Sequence, residues 1–137
     1  MVDSSLLIEY LKDAKKALLI SLIDASDNEC CINETVISEF MYYFLVINGN
    51  TSPRSLQSSN KIKLILETSP EFSLLQRFSF LQNNESLYKI APYYMKQYNL
   101  LPNDAIILAS CKIHNITKLA SHDKDFEEAC QSEGIME

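Results

Sequence analysis

Short apolar runs alternate with longer stretches of helical periodicity in this chain, and this alternation limits its fold more than any other feature. The runs lie at residues 1–2, 30–32 and 116–120, with a weaker candidate strand at 71–76. Between them, apolar residues recur three or four positions apart, as on one face of a helix. Short strands separated by helices are typical of a parallel sheet with helical crossovers. We therefore predict an α/β fold that is rich in helix.

Capping residues predict where several helices begin and end. Ser52 followed by Pro53 is a favoured N-cap and first-turn pair, and it opens a helix predicted to reach about residue 67. Gly49 suits a left-handed cap at the end of the preceding helix. Pro102 is expected to begin a further helix, which leads into the run at 116–120.

The composition is that of an ordinary globular protein. With 137 residues, 47% apolar and 22% charged, the chain is predicted to form one domain over residues 1–137. It has no apolar run of about 18 residues that could span a bilayer, and its first residues do not resemble a signal peptide. We therefore expect a cytoplasmic protein without membrane association. The four cysteines lack zinc-ligand spacing and are expected to be buried thiols.

The net charge is −6, from 12 basic and 18 acidic residues. This balance argues against broad nonspecific binding of nucleic acid, which depends on neutralising phosphates with lysine and arginine. It does not exclude a nuclease, because divalent cations bound to a carboxylate cluster invert the sign of the local field.

Four acidic residues occupy unusual positions, namely Asp3, Glu39, Asp104 and Asp123. Asp3 follows the first apolar run and could simply cap the next helix. Glu39 falls on an apolar helical face, although a flexible side chain at the edge of that face could reach water. Asp104 lies near a helix N-terminus, where the helix dipole favours an acid, yet helical spacing turns it toward the packed side.

The stretch "SHDKDF" at residues 121–126 contains the fourth acid and a second aspartate. Asp125 and Glu128 have the spacing of a capping box, so we assign Asp125 to the start of the last helix. Asp123 is then left at the carboxyl end of the predicted strand, which is the edge where ligands bind in open α/β sheets. His122 alternates to the other side and is predicted to be a surface residue.

If these four acids converge on one crevice, they cannot all stay ionised unless a cation is bound. Carboxylate and water oxygens are the ligands that Mg²⁺ and Mn²⁺ prefer. Such ions promote phosphodiester hydrolysis, because they stabilise developing charge and activate a water molecule. The sequence therefore predicts a metal site made by Asp3, Glu39, Asp104 and Asp123.

Three segments, "VDSSLLIEYL", "INETVISEFMYYF" and "LPNDAIILASCKIHNITKLASHDKDF", together resemble the PIN domain, most closely the VapC-like toxin ribonucleases. The motifs are an Asp ending the first strand, Ser-Glu on an early helix, Asp-Ala opening a later helix, and a strand end with two aspartates and a phenylalanine. They cover about residues 1–48 and 98–130. The resemblance implies a three-layer α/β/α fold with a central parallel sheet.

The resemblance also implies a Mg²⁺- or Mn²⁺-dependent endoribonuclease. Asp3, Glu39, Asp104 and Asp123 would hold the metal directly or through water, and attack by water would leave a 5′-phosphate. Ser121 stands where the family usually has threonine, and Ser121 and Asp125 would support the site. RNA and a small antitoxin protein are the expected partners, and many members of the family form homodimers.

Two features depart from the family pattern. The strand before Asp3 is short, so an upstream start of the native chain stays open. Basic residues are sparse, and RNA contacts are expected from lysines: Lys12, Lys15, Lys16, Lys61 and Lys63. The alternative to an enzyme is a catalytically silent PIN scaffold that binds another protein, but such a module has no reason to keep four buried carboxylates.

Overall fold

The computed structural model describes residues 1–13, 16–25 and 27–136. Within these residues, helices α1 to α8 span Ser4–Leu11, Lys16–Asp24, Glu34–Gly49, Pro53–Ser58, Ile62–Thr68, Leu87–Tyr98, Pro102–Ile113 and Glu127–Glu133. Two 3-10 helices span Pro70–Arg77 and Lys124–Phe126. Strands β1 and β2 span Cys31–Ile32 and Ser79–Phe80.

The strands form a small parallel sheet. Strand β1 pairs with β2 in parallel, with Cys31 opposite Ser79. On the other side of β1, the amide of Val2 donates to the carbonyl of Cys31 at 2.9 Å. Val2 in turn forms a parallel bridge with Ala120. The predicted α/β class, rich in helix and with parallel strands, is therefore confirmed, although the sheet is smaller than the sequence suggested.

The expected strand at 116–120 is reduced to two single bridges, at Lys118 and Ala120. The weak candidate strand at 71–76 is wrong, because these residues lie in the 3-10 helix Pro70–Arg77. Pro70 begins that helix, since its fixed φ suits a first turn and it has no N–H to leave unpaired. The true strand, β2, follows directly after it.

The single helix expected from Pro53 to about residue 67 is divided into α4 and α5. Asn60 lies between them with a φ of 59°, a left-handed conformation that a continuous helix cannot contain. The start is as predicted, with the Ser52 side chain accepting a hydrogen bond from the amide of Ser55. The left-handed residue at the end of α3 is Asn50, and Gly49 is the last helical residue.

Gly49 has a packing role in place of the predicted cap. A Cβ atom at this position would lie 2.5 Å from Cδ1 of Leu56 and 2.9 Å from Cδ1 of Ile65. The absence of a side chain therefore lets α4 and α5 pack closely on the end of α3.

Helix α3 carries the centre of the core. Val36, Phe40 and Phe44 recur every four residues and are fully buried. The same helix contacts α1 and α7, which lie beside the sheet. Glu39 and Tyr43 are one position before Phe40 and Phe44, so they form the adjoining face of the helix, toward α1 and α7.

The four cysteines are thiols, as predicted, with three buried and Cys30 half-buried. None of the helices within the described residues combines the length and the apolar character that a membrane-spanning segment requires. Lys15, one of the lysines expected to contact RNA, lies outside the described residues.

Candidate active site

Asp3 is held at the start of α1, where it both caps the helix and faces a cleft. Its side chain is almost completely buried, with 3% of its surface exposed. One oxygen, Oδ2, accepts hydrogen bonds from the Ser5 hydroxyl at 2.7 Å, the Ser121 hydroxyl at 2.8 Å and the Ser5 amide at 3.3 Å. Because these donors all reach Oδ2, the other oxygen stays available for a ligand.

Glu39 reaches the same place from α3. Its Oε2 accepts a hydrogen bond from the Ser4 hydroxyl at 2.8 Å. Its Oε1 is buried and accepts no hydrogen bond of ordinary geometry from any residue that the structure describes. Burial raises the pKa of Glu39, and the negative charge of Asp3 adds to this, while hydrogen bonding by Ser4 and Asn103 lowers it. A buried, unpaired carboxylate oxygen is costly unless a proton or a cation satisfies it.

Asp104 lies in the first turn of α7 and is half-buried. Burial and then the charges of Asp123, Asp3 and Glu39 raise the pKa of Asp104 from 3.8 to about 7. The N-terminus of a helix favours an ionised carboxylate, so here burial and repulsion outweigh the helix dipole. The electrostatic potential in the cleft is therefore strongly negative.

Asp123 and Asp125 exchange the capping role that the sequence had predicted for Asp125. Asp123 is the residue that caps, because its Oδ1 accepts a hydrogen bond from the Asp125 amide at 2.9 Å and begins the 3-10 helix. Helix α8 has Phe126 at its N-cap and no capping side chain, so the prediction that Asp125 caps this helix is wrong. The chain tightens into a 3-10 turn after Asp123, and this shifts the start of α8 beyond Asp125.

Asp125 instead joins the acidic cluster. One carboxylate oxygen from each of Asp104, Asp123 and Asp125 lies within 4.8 Å of the others. Asp125 is exposed, so its carboxylate faces the mouth of the cluster. Asp125 had also been predicted as a supporting residue of the site, and this position beside Asp104 and Asp123 agrees with that prediction.

Two serines connect the segments that carry these acids. Besides binding Asp3, the Ser121 hydroxyl accepts a hydrogen bond from the Asp123 amide at 2.9 Å. The Ser5 hydroxyl accepts one from the His122 amide at 2.9 Å and lies 3.2 Å from the Ser121 hydroxyl. Ser121 had been predicted as a supporting residue, whereas Ser5 had not been identified. Besides Asp3, the partners of Ser5 lie more than 115 residues away, so no local pattern reveals that it links these segments.

The four predicted metal-binding acids line one open cleft of about 660 Å³ beside α1, α3 and α7. The acids in its wall are Asp3, Glu9, Glu39, Asp104 and Asp123, and the other lining side chains include Lys12, Tyr43, His122 and Lys124. His122 had been predicted as a surface residue, but it is half-buried and borders the cleft. The structure thus brings together the four acids that the sequence singled out.

The donor set fits a hard divalent cation. In Asp3, Glu39 and Asp123, hydrogen bonds hold one carboxylate oxygen, which fixes the orientation of the other. The buried Oε1 of Glu39 is an oxygen without a protein partner among the described residues. Carboxylate oxygens in this arrangement suit Mg²⁺ or Mn²⁺, and soft metals are disfavoured because no thiol or imidazole belongs to the cluster of Asp104, Asp123 and Asp125.

A helix-rich α/β protein with its carboxylates gathered at the carboxyl edge of a parallel sheet is the architecture expected for a PIN domain. The chain belongs to this family, since the PIN domain model matches residues 1–131.

Two curated proteins of Methanocaldococcus jannaschii are similar over most of their length. The chain is 35% identical to Ribonuclease VapC2 over 131 residues, which cover 91% of this chain and 85% of the relative. It is 33% identical to Ribonuclease VapC6 over 136 residues, which cover 92% of this chain and 89% of the relative. No solved structure matches the chain significantly.

Proposed function

We propose that this protein is a divalent-metal-dependent endoribonuclease that hydrolyses phosphodiester bonds of RNA. The names of its two relatives, Ribonuclease VapC2 and Ribonuclease VapC6, support this activity. The observation that carries the proposal is the buried Oε1 of Glu39, which accepts no hydrogen bond of ordinary geometry from the described residues and stands in a cleft with Asp3, Asp104 and Asp123. A proton or a cation can satisfy such an oxygen, and the gathering of further carboxylates around it favours a cation.

Asp3, Glu39, Asp104 and Asp123 would hold Mg²⁺ or Mn²⁺, with Asp125 adding an oxygen at the exposed side of the cluster. When bound, the ion supplies a water molecule of lowered pKa and charge stabilisation for the phosphate. Ser5 and Ser121 orient Asp3, and Ser4 orients Glu39. Attack by water on the phosphorus would break the bond to the 3′ oxygen and leave a 5′-phosphate on the downstream fragment.

The alternative function is a catalytically silent PIN scaffold that binds another protein. The arrangement of the acids argues against it. Burial and repulsion hold the pKa of Asp104 near 7 and raise that of Glu39, and these shifts cost stability at neutral pH. A protein-binding module gains nothing from this loss of stability, whereas a metal site must hold several carboxylates close together and therefore accepts it.

The nuclease proposal is tested with the purified chain and an end-labelled RNA. Cleavage should require Mg²⁺ or Mn²⁺, stop with EDTA, produce 5′-phosphate ends and be lost in Asp104→Asn. Asp24→Asn is the matched control, because this aspartate pairs with Arg77 on the surface at 3.1 Å. Cleavage that persists in EDTA or in Asp104→Asn would contradict the metal site, and an inactive wild type with every metal would favour the silent scaffold.

The biological role that we propose is that of a toxin restrained by a small antitoxin protein. The support is family membership together with the similarity to the two VapC proteins. Expression of the chain alone should arrest growth, while Asp104→Asn should not, and co-expression with the product of an adjacent short reading frame should restore growth and yield a complex on purification. Normal growth during strong expression of active enzyme would contradict this role. Homodimer formation and the cytoplasmic location stay predictions.

A further inference from the structure

A small hollow opens beside the acidic cleft, and two residues line both of them. The hollow has a volume of about 320 Å³ and is lined by Ser38, Glu39, Tyr42, Tyr43 and Asn103. Glu39 and Tyr43 also line the cleft. Any group bound in the hollow is therefore a direct neighbour of a group held by the four acids.

Tyr42 and Tyr43 form an exposed aromatic pair that folding does not use. Their side chains are 53% and 43% exposed, and their ring centroids are 5.4 Å apart in an edge-on arrangement. Neither hydroxyl makes a hydrogen bond to the residues that the structure describes. Tyr94 and Tyr98 differ, because both donate to the carboxylate of Glu133 and so join α6 to α8.

Phosphate contacts alone give this site a weak hold on RNA. Two lysines line the cleft, and the ammonium of Lys12 lies 3.7 Å from the carboxylate of Glu9. Lys124 is the other basic side chain there. With a net charge of −6 for the chain, much of the affinity must come from contacts that do not depend on phosphate charge. Stacking of bases on aromatic rings is such a contact, and it is tolerant of sequence.

We propose that Tyr42 and Tyr43 form a base-stacking subsite that holds an unpaired nucleotide next to the phosphodiester bond that is cut. This inference rests on the proposed ribonuclease function and adds to it the residues that position the substrate. In the subsite, the base lies against the exposed ring of Tyr43, and Tyr42 closes the hollow from the side. Asn103, exposed at the start of α7, also lines the hollow.

Two properties of the enzyme follow from the subsite. A base in a duplex has both faces covered by its neighbours, so the nucleotide beside the cleavage point must be unpaired. The salt dependence of RNA binding must also be shallow. With two lysines near the cleft, the slope of log K against log salt concentration should be about −1.4 or smaller in magnitude.

The binding test uses full-length protein carrying Asp104→Asn and a short RNA with 2-aminopurine beside the cleavage point mapped with the wild type. Stacking should quench the probe. Adding Tyr43→Ala should remove the quenching and raise Kd about 5- to 150-fold, the range for loss of one stacked base. Tyr42→Ala should give a smaller effect. Tyr43→Phe should restore both readouts, because it keeps the ring. Tyr88→Ala is the matched control, since Tyr88 is 84% exposed and lines neither the cleft nor the hollow.

The activity test compares single-stranded RNA with the same strand annealed to its complement. In the otherwise wild-type protein, Tyr43→Ala should raise KM with a much smaller change in kcat, and annealing should block cleavage at the mapped position. Unchanged quenching and KM in Tyr43→Ala would overturn the subsite. The subsite would also be overturned if Tyr43→Ala left RNA binding unchanged but weakened binding of the antitoxin. In that case Tyr42 and Tyr43 would form a contact surface for a protein. RNA cleavage by the wild type in these assays supports the ribonuclease proposal independently of the results with the tyrosine variants.

Discussion

The Asp104→Asn substitution should make the metal-free protein more stable while it abolishes catalysis. Asp104 is half-buried among the charges of Asp123, Asp3 and Glu39, and its pKa is raised from 3.8 to about 7. Asparagine has nearly the same shape and carries no charge. The substitution therefore removes the repulsion and the desolvation cost and leaves the packing of α7 unchanged.

The magnitude follows from linkage. Raising the pKa of Asp104 from 3.8 to about 7 corresponds to about 4 kcal/mol when the carboxylate is fully ionised. Because Asp104 is only half-buried, solvent screening reduces this to about 2 kcal/mol, and loss of a favourable charge at the N-terminus of α7 removes up to about 1 kcal/mol more. We expect Asp104→Asn to be about 1–2 kcal/mol more stable than wild type above about pH 7.

The gain must depend on pH. Since the folded-state pKa is raised, the unfolded chain releases this proton near pH 4, while the folded chain keeps it until about pH 7. The free energy of unfolding of the wild type therefore falls across this window, and the penalty is complete above it. Asparagine does not titrate, so the difference between the two proteins should shrink to near zero at about pH 4.

Urea unfolding followed by far-ultraviolet circular dichroism in EDTA measures the difference, at about pH 8 and about pH 5. Adding Mn²⁺ at about pH 8 should stabilise the wild type and not the variant. Asp24→Asn is again the control; it should lack the pH-dependent gain in stability and should be stabilised by Mn²⁺ as the wild type is. A variant that is less stable than the wild type at about pH 8 in EDTA, or a difference that is equal at both pH values, would refute the reasoning.

Two further predictions concern the residues around Asp3 and Asp123. Ser121→Ala should weaken Mn²⁺ binding about 10- to 100-fold in titration calorimetry, because Asp3 loses a hydrogen bond that orients it. Ser121→Thr keeps a hydroxyl and should keep most of the affinity. Equal affinities for the alanine variant and the wild type would contradict this role of Ser121. At about pH 5 in EDTA, where Asp104 is protonated and its repulsion with Asp123 is absent, Asp123→Ala should lose about 1 kcal/mol of stability, while Asp125→Ala should leave stability nearly unchanged, as measured by urea unfolding. A larger loss of stability in Asp125→Ala than in Asp123→Ala would indicate that Asp125 is the capping residue.

Local sequence reasoning succeeded where a residue conflicted with its immediate surroundings. Glu39 on an apolar helical face and Asp104 on the packed side of α7 are such conflicts, and the structure brings both into one cleft with Asp3 and Asp123. Their role as metal ligands stays a prediction. Periodicity was sufficient to find them because burial of a carboxylate is rare without a partner.

Local reasoning failed where two conformations fitted the same pattern. Asp123 and Asp125 are both competent caps, and a 3-10 turn decided between them. Gly49 and Asn50 both tolerate a left-handed conformation, and the approach of Leu56 to Gly49 decided which residue adopts it. In each case the free energies of the local alternatives are close, so tertiary contacts select one of them.

The sequence alone therefore determined the α/β class and the helix-rich composition, and it singled out Asp3, Glu39, Asp104 and Asp123, because helical spacing and the cost of buried charge are properties of short segments. The tertiary structure decided how those acids are held. Ser121 donates to Asp3 across 118 positions, and the aromatic hollow forms only where α3 meets the start of α7. Contacts over such separations depend on how the helices and strands pack, which no local pattern records.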